Sequence, residues 1–169
     1  GGPERVERLM TRRGKLDAVI SRAFNHTGPG QSSRFVCGDF ARQIVAVERG
    51  TQPSVRVGNL EAVRDFLDVR DVVNGYLHLC ERGERGEVYN VSSGVGRRVA
   101  DILADLVGLS TAEPQVVSDP ERLRAAEVPV LIGDNGRLRR LGWKAEIEWS
   151  VTLGDLLQDQ RRRQDAQLS

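Results

Sequence analysis

The sequence predicts an α/β protein. Short runs of β-branched residues, typical of strands buried in a parallel sheet, alternate with longer segments whose apolar residues recur at helical spacing. Glycine-rich turns separate the two kinds of segment, as expected where strands and helices follow one another. With 169 residues, of which 39% are hydrophobic and 29% charged, the chain is long enough to bury one core. We therefore predict a single α/β domain over residues 1–169.

The N-terminal part begins with a predicted helix over residues 3–13, where apolar residues recur three and four positions apart and Gly14 follows as a stop signal. Residues 17–22 form a β-branched run and predict a strand. The loop of residues 23–30 follows directly and contains the sequence Asn-His-Thr-Gly-Pro-Gly. Loops that follow a strand of a parallel sheet are where α/β proteins place their ligand sites, so this loop is a candidate site.

Two further helices are predicted in the middle of the chain. Residues 35–48 predict an amphipathic helix that Gly50 ends. Its buried face is predicted to carry four apolar residues: Phe35, Phe40, Ile44 and Val47. Residues 54–58 alternate with the period of a strand. Asp68 predicts the N-cap of a helix over residues 69–81, because its carboxylate can accept a hydrogen bond from a first-turn amide.

The C-terminal half continues the alternation. Strands are predicted at residues 87–91 and 115–117, and helices at residues 99–107, 137–141 and 153–161. The arginine run at residues 161–163 is interpreted as a solvated helix end, where cations favour the helix dipole.

The charge balance excludes two classes of partner. Lysine and arginine total 25 against 24 for aspartate and glutamate, so the net charge of +1 gives no general attraction to nucleic acid or to anionic lipid. No apolar run is long enough to span a bilayer, and no signal region opens the chain. Cys37 and Cys80 lack the spacing of metal ligands and are expected to be buried thiols. We therefore expect a cytoplasmic protein without a metal site, a membrane contact or a nucleic-acid partner.

Three charged residues could bind a ligand that carries a diphosphate. Arg64 and Arg124 could supply bidentate contacts to phosphate, and Glu127 could accept hydrogen bonds from both hydroxyls of a ribose. The alternative is that the arginines form ordinary surface ion pairs, which contribute little to stability. The sequence alone leaves both interpretations open.

The loop after the first predicted strand also has two interpretations. Asn25 and His26 could contact a ligand, because the glycines that follow let the backbone approach one closely. Alternatively, Asn25 bonds its own loop backbone and His26 has no role.

A series of motifs resembles those of the GDP-mannose-modifying extended short-chain dehydrogenases. The motifs lie, in order, at residues 22–31, 35–36, 57–66, 68–73, 87–94, 119–129 and 133–134. The resemblance implies the C-terminal part of an extended Rossmann-type NAD(P)-binding fold with its small substrate-binding subdomain. Residues 1–30 and 63–92 would be remnants of the Rossmann part, and residues 31–62 and 93–169 would be mainly the substrate subdomain.

The same resemblance implies roles for individual residues. Asn25 and the backbone near Val36 would hold the diphosphate and the nucleotide, and Ala23 and Phe24 would lie at the cofactor. The charged residues would take the roles already considered: Arg64 and Arg124 on phosphate, and Glu127 on the ribose hydroxyls. The ligand would be a GDP-sugar, and the cofactor of a complete member would be NADP or NAD.

Two departures favour the reductase branch of this family. Its dehydratases carry Ser-Pro-Arg-Arg after the Asn-His pair and a lysine shortly after the Phe-Val pair, whereas residues 27–30 are Thr-Gly-Pro-Gly and position 39 is an aspartate. The implied reaction is the NAD(P)H-dependent reduction of the C4 keto group of GDP-4-keto-6-deoxy-D-mannose to GDP-D-rhamnose. The alternatives are a GDP-mannose 4,6-dehydratase or related nucleotide-sugar epimerase, and a non-catalytic GDP-sugar-binding module or subunit of a split protein.

The catalytic motifs of the family do not occur in this sequence. Four residues after Tyr76 and Tyr89 stand Cys80 and Ser93, so neither tyrosine belongs to a Tyr-x-x-x-Lys pair, and no glycine-rich turn follows a first strand. We therefore expect no catalytic residue here, no tight cofactor binding and no activity of the chain alone. The N-terminal dinucleotide-binding half would be missing, with the family's lysine just before Gly1. The expected partner is a second copy or a separate chain that carries that half.

Overall fold

The computed structural model of the protein describes residues 18–122 and 128–168, with side chains to residue 166. Strands and helices alternate along the chain. They are β1 (Ile20–Ala23), β2 (Asn25–Thr27), α1 (Val36–Glu48), β3 (Val55–Val57), β4 (Val63–Asp68), α2 (Val69–Arg82), β5 (Val88–Val91), β6 (Gly96–Arg98), α3 (Val99–Gly108), β7 (Val116–Ser118), β8 (Val130–Leu131), α4 (Gly136–Arg140) and α5 (Trp149–Leu168).

The described residues divide into two compact units. The first takes its residues from the ranges Gly1–His26, Asp65–Val95 and Ile132–Glu146, and the second from Thr27–Arg64, Gly96–Leu131 and Ile147–Ser169. Residues 132–146 thus belong to the first unit.

The first unit is built on a parallel pair of strands. β1 and β5 pair with Ile20 opposite Val88 and Ala23 opposite Val91. Helix α2 packs against β1, and α4 packs against β5 and α2. The core between them consists of Leu67, Val72, Leu79, Tyr89, Val91, Leu138 and Trp143.

Local signals explain how α2 begins and how it packs. The side chain of Asp68 accepts a hydrogen bond from the Arg70 amide, which confirms the predicted N-cap. Gly75 lets the helix approach the sheet, because a Cβ atom there would lie 3.2 Å from Cγ1 of Val91.

The second unit is organised around α1. This helix packs against α3, α5 and β3. β3 pairs with β7 in parallel, and β4 pairs in parallel with β8, which places Val63 opposite Val130 and Arg64 opposite Leu131. The buried residues include Ile44, Val45, Val55, Ile102, Leu106, Leu153, Leu156 and Leu157.

Several sequence predictions of buried positions and elements were wrong. Phe35 lies before α1 with an extended backbone and is 60% exposed, so it does not belong to the buried face. Gln43 is buried instead and bonds both the amide and the carbonyl of Arg56. Strand β4 was not predicted, and α5 is longer than the predicted residues 153–161. Cys37 is buried as expected, but Cys80 is exposed because it lies on the outer face of α2.

The predicted helix over residues 3–13 and the first residue of the predicted strand 17–22 lie outside the described residues. Within the part of the chain that is described, no helix combines the length and apolar character needed to cross a bilayer.

Candidate functional site

The first candidate residues follow β1 in the first unit. The Phe24 amide donates to the Val91 carbonyl at 3.0 Å, which extends the pairing of β1 with β5 by one residue. Ala23 and Asn25 are exposed and Phe24 is half-buried. The exposure of Asn25 leaves its side-chain amide accessible to a ligand. Nδ1 of His26 lies 3.1 Å from the Phe24 carbonyl oxygen.

A tight turn in the second unit connects β2 to α1. The buried Thr27 donates to Oε1 of Gln31 at 2.6 Å, and the Gln31 amide donates to the Gly28 carbonyl. Gly30 has a φ of +91°, a left-handed conformation that favours glycine. This turn fixes the path by which the chain enters the first turn of α1.

Val36 is the first residue of α1 and is half-buried. The N-cap residue Phe35 supplies no side-chain hydrogen bond to the first turn. The first amides of a helix have no partners within the helix and favour an anion through the helix dipole. The resemblance assigns these amides near Val36 to the nucleotide, and that role stays a prediction.

An acidic residue in that first turn is neutralised by its neighbours. The carboxylate of Asp39 accepts hydrogen bonds from Arg42 at 2.9 Å and from Nε2 of Gln43 at 2.8 Å, and forms an ion pair with Arg122. Arg122 also lies 3.5 Å from Asp119. With two guanidinium groups on it, Asp39 does not leave a net negative charge at the end of the helix.

Arg122 is the site neighbour that sequence reasoning missed. It follows the Asp119-Pro120 motif, and its backbone lies so close to Gly58 that a Cβ atom on that glycine would clash with the Arg122 carbonyl. The glycine of the Val-Gly-Asn sequence was a signal for this approach, since glycine permits two backbones to touch.

Arg64 is held at the start of β4. Its Nη1 atom donates to the Val63 carbonyl at 2.9 Å and lies 3.4 Å from the Pro129 carbonyl. These two bonds orient the guanidinium beside the segment that carries Pro129. The other two charged candidates, Arg124 and Glu127, lie outside the described residues.

Asp65, the neighbour of Arg64, is fully buried in the first unit. Its Oδ1 atom accepts from the Ser93 amide at 2.8 Å and the Ser93 hydroxyl at 2.7 Å, and Oδ2 accepts from the amides of Gly94 at 2.8 Å and Gly133 at 3.1 Å. Four donors on one carboxylate satisfy a charge that burial alone would disfavour. Asp65 therefore fixes the loop after β5.

The thiol nearest the turn is not a reactive group. Cys37 is buried in the first turn of α1 and shares a hydrogen bond with Thr27, and burial raises its pKa to about 12. It stays protonated near neutral pH and acts as part of the packing.

The sequence of the chain matches known proteins over most of its length. The sequence model of one family, described as GDP-mannose 4,6 dehydratase, matches residues 6–156. The chain is 40% identical over 147 residues to the GDP-6-deoxy-D-mannose reductase of Pseudomonas aeruginosa, covering 86% of this chain and 48% of that protein. It is 29% identical over 143 residues to a GDP-mannose 4,6-dehydratase of Sinorhizobium fredii, covering 73% of this chain and 40% of that protein.

Solved structures give the same relationship. The RMD protein of Pseudomonas aeruginosa complexed with NADPH matches with a TM-score of 0.88 at 36% identity, over 95% of this chain and 54% of that one. A UDP-glucose 4-epimerase of Thermotoga maritima with UDP-glucose matches with a TM-score of 0.78 at 25% identity, over 96% of this chain and 51% of that one. These likenesses confirm the predicted α/β class and extended Rossmann-type fold. The chain spans about half the length of the curated relatives it matches.

Proposed function

Because the chain belongs to the GDP-mannose 4,6-dehydratase family, we propose that it supplies the GDP-sugar site of an oxidoreductase. The proposed reaction is the NAD(P)H-dependent reduction of the C4 keto group of GDP-4-keto-6-deoxy-D-mannose to GDP-D-rhamnose. The observation that carries this proposal is the 40% identity to a GDP-6-deoxy-D-mannose reductase.

The proposed substrate contacts fall into two groups, one at the diphosphate and one at the ribose. Asn25 and the first-turn amides around Val36 take the diphosphate, with Arg64 and Arg124 supplying guanidinium groups, and Glu127 accepts from the ribose hydroxyls. The orientation of Arg64 by two backbone carbonyls supports its role, because a guanidinium that is already fixed loses less entropy when it binds phosphate.

The cofactor of the complete protein is proposed to be NADP or NAD, and Ala23 and Phe24 are proposed to contact it. A bound nicotinamide would supply the hydride. Neither tyrosine has the setting of the family's proton donor, since no lysine stands four residues after Tyr76 or Tyr89, and Tyr89 is buried with its hydroxyl bonded to the Glu84 amide. We therefore propose that residues beyond this sequence supply the proton donor and most of the dinucleotide site, and that the chain alone is inactive.

The proposed partner is a second copy of the chain or a separate chain that carries the dinucleotide-binding half. Among the described residues, β1 pairs along one edge only, and Val73 and Leu77 on the outer face of α2 are 52% and 57% exposed. An open strand edge and an exposed apolar helix face both favour association. The cytoplasm remains the proposed location.

Isothermal titration calorimetry with GDP and with UDP tests the substrate site. We expect GDP to bind, UDP to bind more weakly, and Arg64→Ala and Arg124→Ala each to weaken GDP binding by about 1.5 to 3 kcal/mol. Arg49→Ala is the matched control, because Arg49 pairs with Asp165 on the surface and should leave the affinity unchanged. Absence of GDP binding by the unmodified chain would reject the proposal.

A dehydratase is the second candidate, favoured by the description of the matching family. The complete gene product separates the two activities: a dehydratase consumes GDP-mannose without added reduced cofactor, whereas the reductase requires NADPH or NADH and a 4-keto sugar. GDP-sugar affinity without any turnover by the complete product would indicate a non-catalytic binding module.

A further inference from the structure

The C-terminal helix reaches back to the turn that precedes α1. The Gly30 amide donates to Oδ2 of Asp159 at 2.9 Å, across 129 residues of sequence. The Asp159 side chain is only 16% exposed. A charged acceptor on a backbone amide is among the stronger hydrogen bonds of a protein, so this contact is a firm anchor for the turn.

Two arginines of α5 hold the Asp159 carboxylate in place. Nε of Arg163 donates to Oδ2 at 2.9 Å, and Arg162 lies 4.0 Å from Oδ1. The guanidinium of Arg163 also lies against Gly30, since a Cβ atom on that glycine would be 3.7 Å from Nη2. The carboxylate is therefore both oriented and neutralised, and it adds no net negative charge that would repel an anion near the turn.

The anchored turn is mechanically linked to the start of α1. Gly38 contacts the turn so closely that a Cβ atom there would lie 2.5 Å from the Ser32 carbonyl oxygen. The Phe35 amide donates to the same carbonyl at 3.2 Å. Thr27 bonds both Gln31 and Cys37, so it joins the turn to the first helical residues. A shift of Gly30 is thus transmitted to Ser32 and to the first amides of α1.

We propose that Asp159 is a positioning residue for the nucleotide diphosphate, which acts by fixing the turn at Gly30 and through it the first turn of α1. This inference rests on the proposed function, which assigns the backbone near Val36 to the nucleotide. Asp159 itself touches no ligand. Its effect comes from holding backbone donors at the distances that phosphate oxygens require.

Two variants of Asp159 and one matched control test this role. Asp159→Ala removes the acceptor, and we expect about tenfold weaker GDP binding together with faster hydrogen exchange of the amides in residues 28–36. Asp159→Asn keeps an oxygen that can accept from Gly30, and we expect it to restore most of the affinity. Asp165→Ala removes another carboxylate of α5, which pairs with Arg49 rather than with the turn, and we expect neither property to change.

The outcomes separate this inference from the proposed function. If the unmodified chain binds no GDP, the proposed function fails and the positioning role fails with it. If the unmodified chain binds GDP and Asp159→Ala binds it equally well, only the positioning role is overturned. The positioning role is also overturned if Asp165→Ala or Asp159→Asn weakens GDP binding as much as Asp159→Ala does. The effect would then reflect a general loss of helix stability.

Discussion

Glu48 of α1 and Arg161 of α5 form a two-pronged ion pair, with Nε of Arg161 donating to Oε2 at 2.9 Å and Nη2 donating to Oε1 at 2.7 Å. The hydroxyl of Ser110 and the amide of Thr111 donate to the same carboxylate. These bonds lower the pKa of Glu48 from its usual 4.5 to about 2. The pair joins α1, α5 and the end of α3 within the second unit.

The depressed pKa of Glu48 predicts how stability depends on acidity. The carboxyl of the unfolded chain takes up a proton near its usual value, whereas the folded one resists protonation, so the stabilisation is present above pH 4.5 and is lost as pH falls toward 2. A shift of this size sets an upper limit of about 3 kcal/mol, which solvent screening of the pair reduces. Glu48→Gln should therefore lower the free energy of unfolding in urea at neutral pH by less than that amount and flatten its pH dependence in this window.

A surface pair serves as the control for this experiment. Asp165 is paired with Arg49 but is 56% exposed, and such pairs contribute less than about 1 kcal/mol. Asp165→Asn should leave both the stability and its acid dependence nearly unchanged. An equal loss in the two variants would contradict the special role assigned to Glu48.

Asp65 predicts a second large effect on stability. An asparagine at this position places a side-chain NH2 group, which can only donate, against backbone N–H groups that need an acceptor. At least one of the bonds from Ser93, Gly94 and Gly133 is therefore lost without replacement. We expect Asp65→Asn to cost about 2 to 4 kcal/mol, measured by urea unfolding. Asp134→Asn is the control, since its carboxylate accepts from the Gly136 amide at the surface, and it should cost less than about 1 kcal/mol.

Asp65 and Asp68 also explain why the sequence predicted some elements and missed others. The Asp68 cap follows from a rule that spans a few residues, so it could be predicted. The residues of β4 could not be recognised as a strand, because Asp65 interrupts the apolar pattern. Its burial is compensated by amides 28 to 68 residues away, and such non-local donors leave no local signal.

The candidate site divides in the same way. Val36 and Arg64 could be named as candidates because their motifs are recognisable in order along the chain, and their roles stay predictions. The ion pair of Asp39 with Arg122 spans 83 positions of the sequence, and the bond of Gly30 to Asp159 spans 129. Nothing near either residue in the sequence indicates its partner, so these contacts required the folded structure.

The two cysteines are predicted to differ in reactivity. Cys37 is buried with a pKa of about 12, whereas Cys80 is exposed. A thiol reagent at mildly alkaline pH should therefore modify one of the chain's 2 cysteines in the native state and both after denaturation. Cys80→Ser should abolish native labelling. Labelling of Cys37 at a similar rate in the folded protein would show that α1 opens readily.

The outer face of α2 is predicted to drive association of the chain. Val73 and Leu77 are exposed one turn apart, with Tyr76 beside them at 39% exposure. Water-exposed apolar side chains at this spacing form a stripe that a second surface can cover. Size-exclusion chromatography with light scattering should show a dimer or larger species at high concentration, and Leu77→Glu should shift it toward the monomer. Val151→Glu, at a solitary exposed position of α5, should not. If the unmodified chain is a monomer at high concentration, the outer face of α2 is not an interface between copies of this chain.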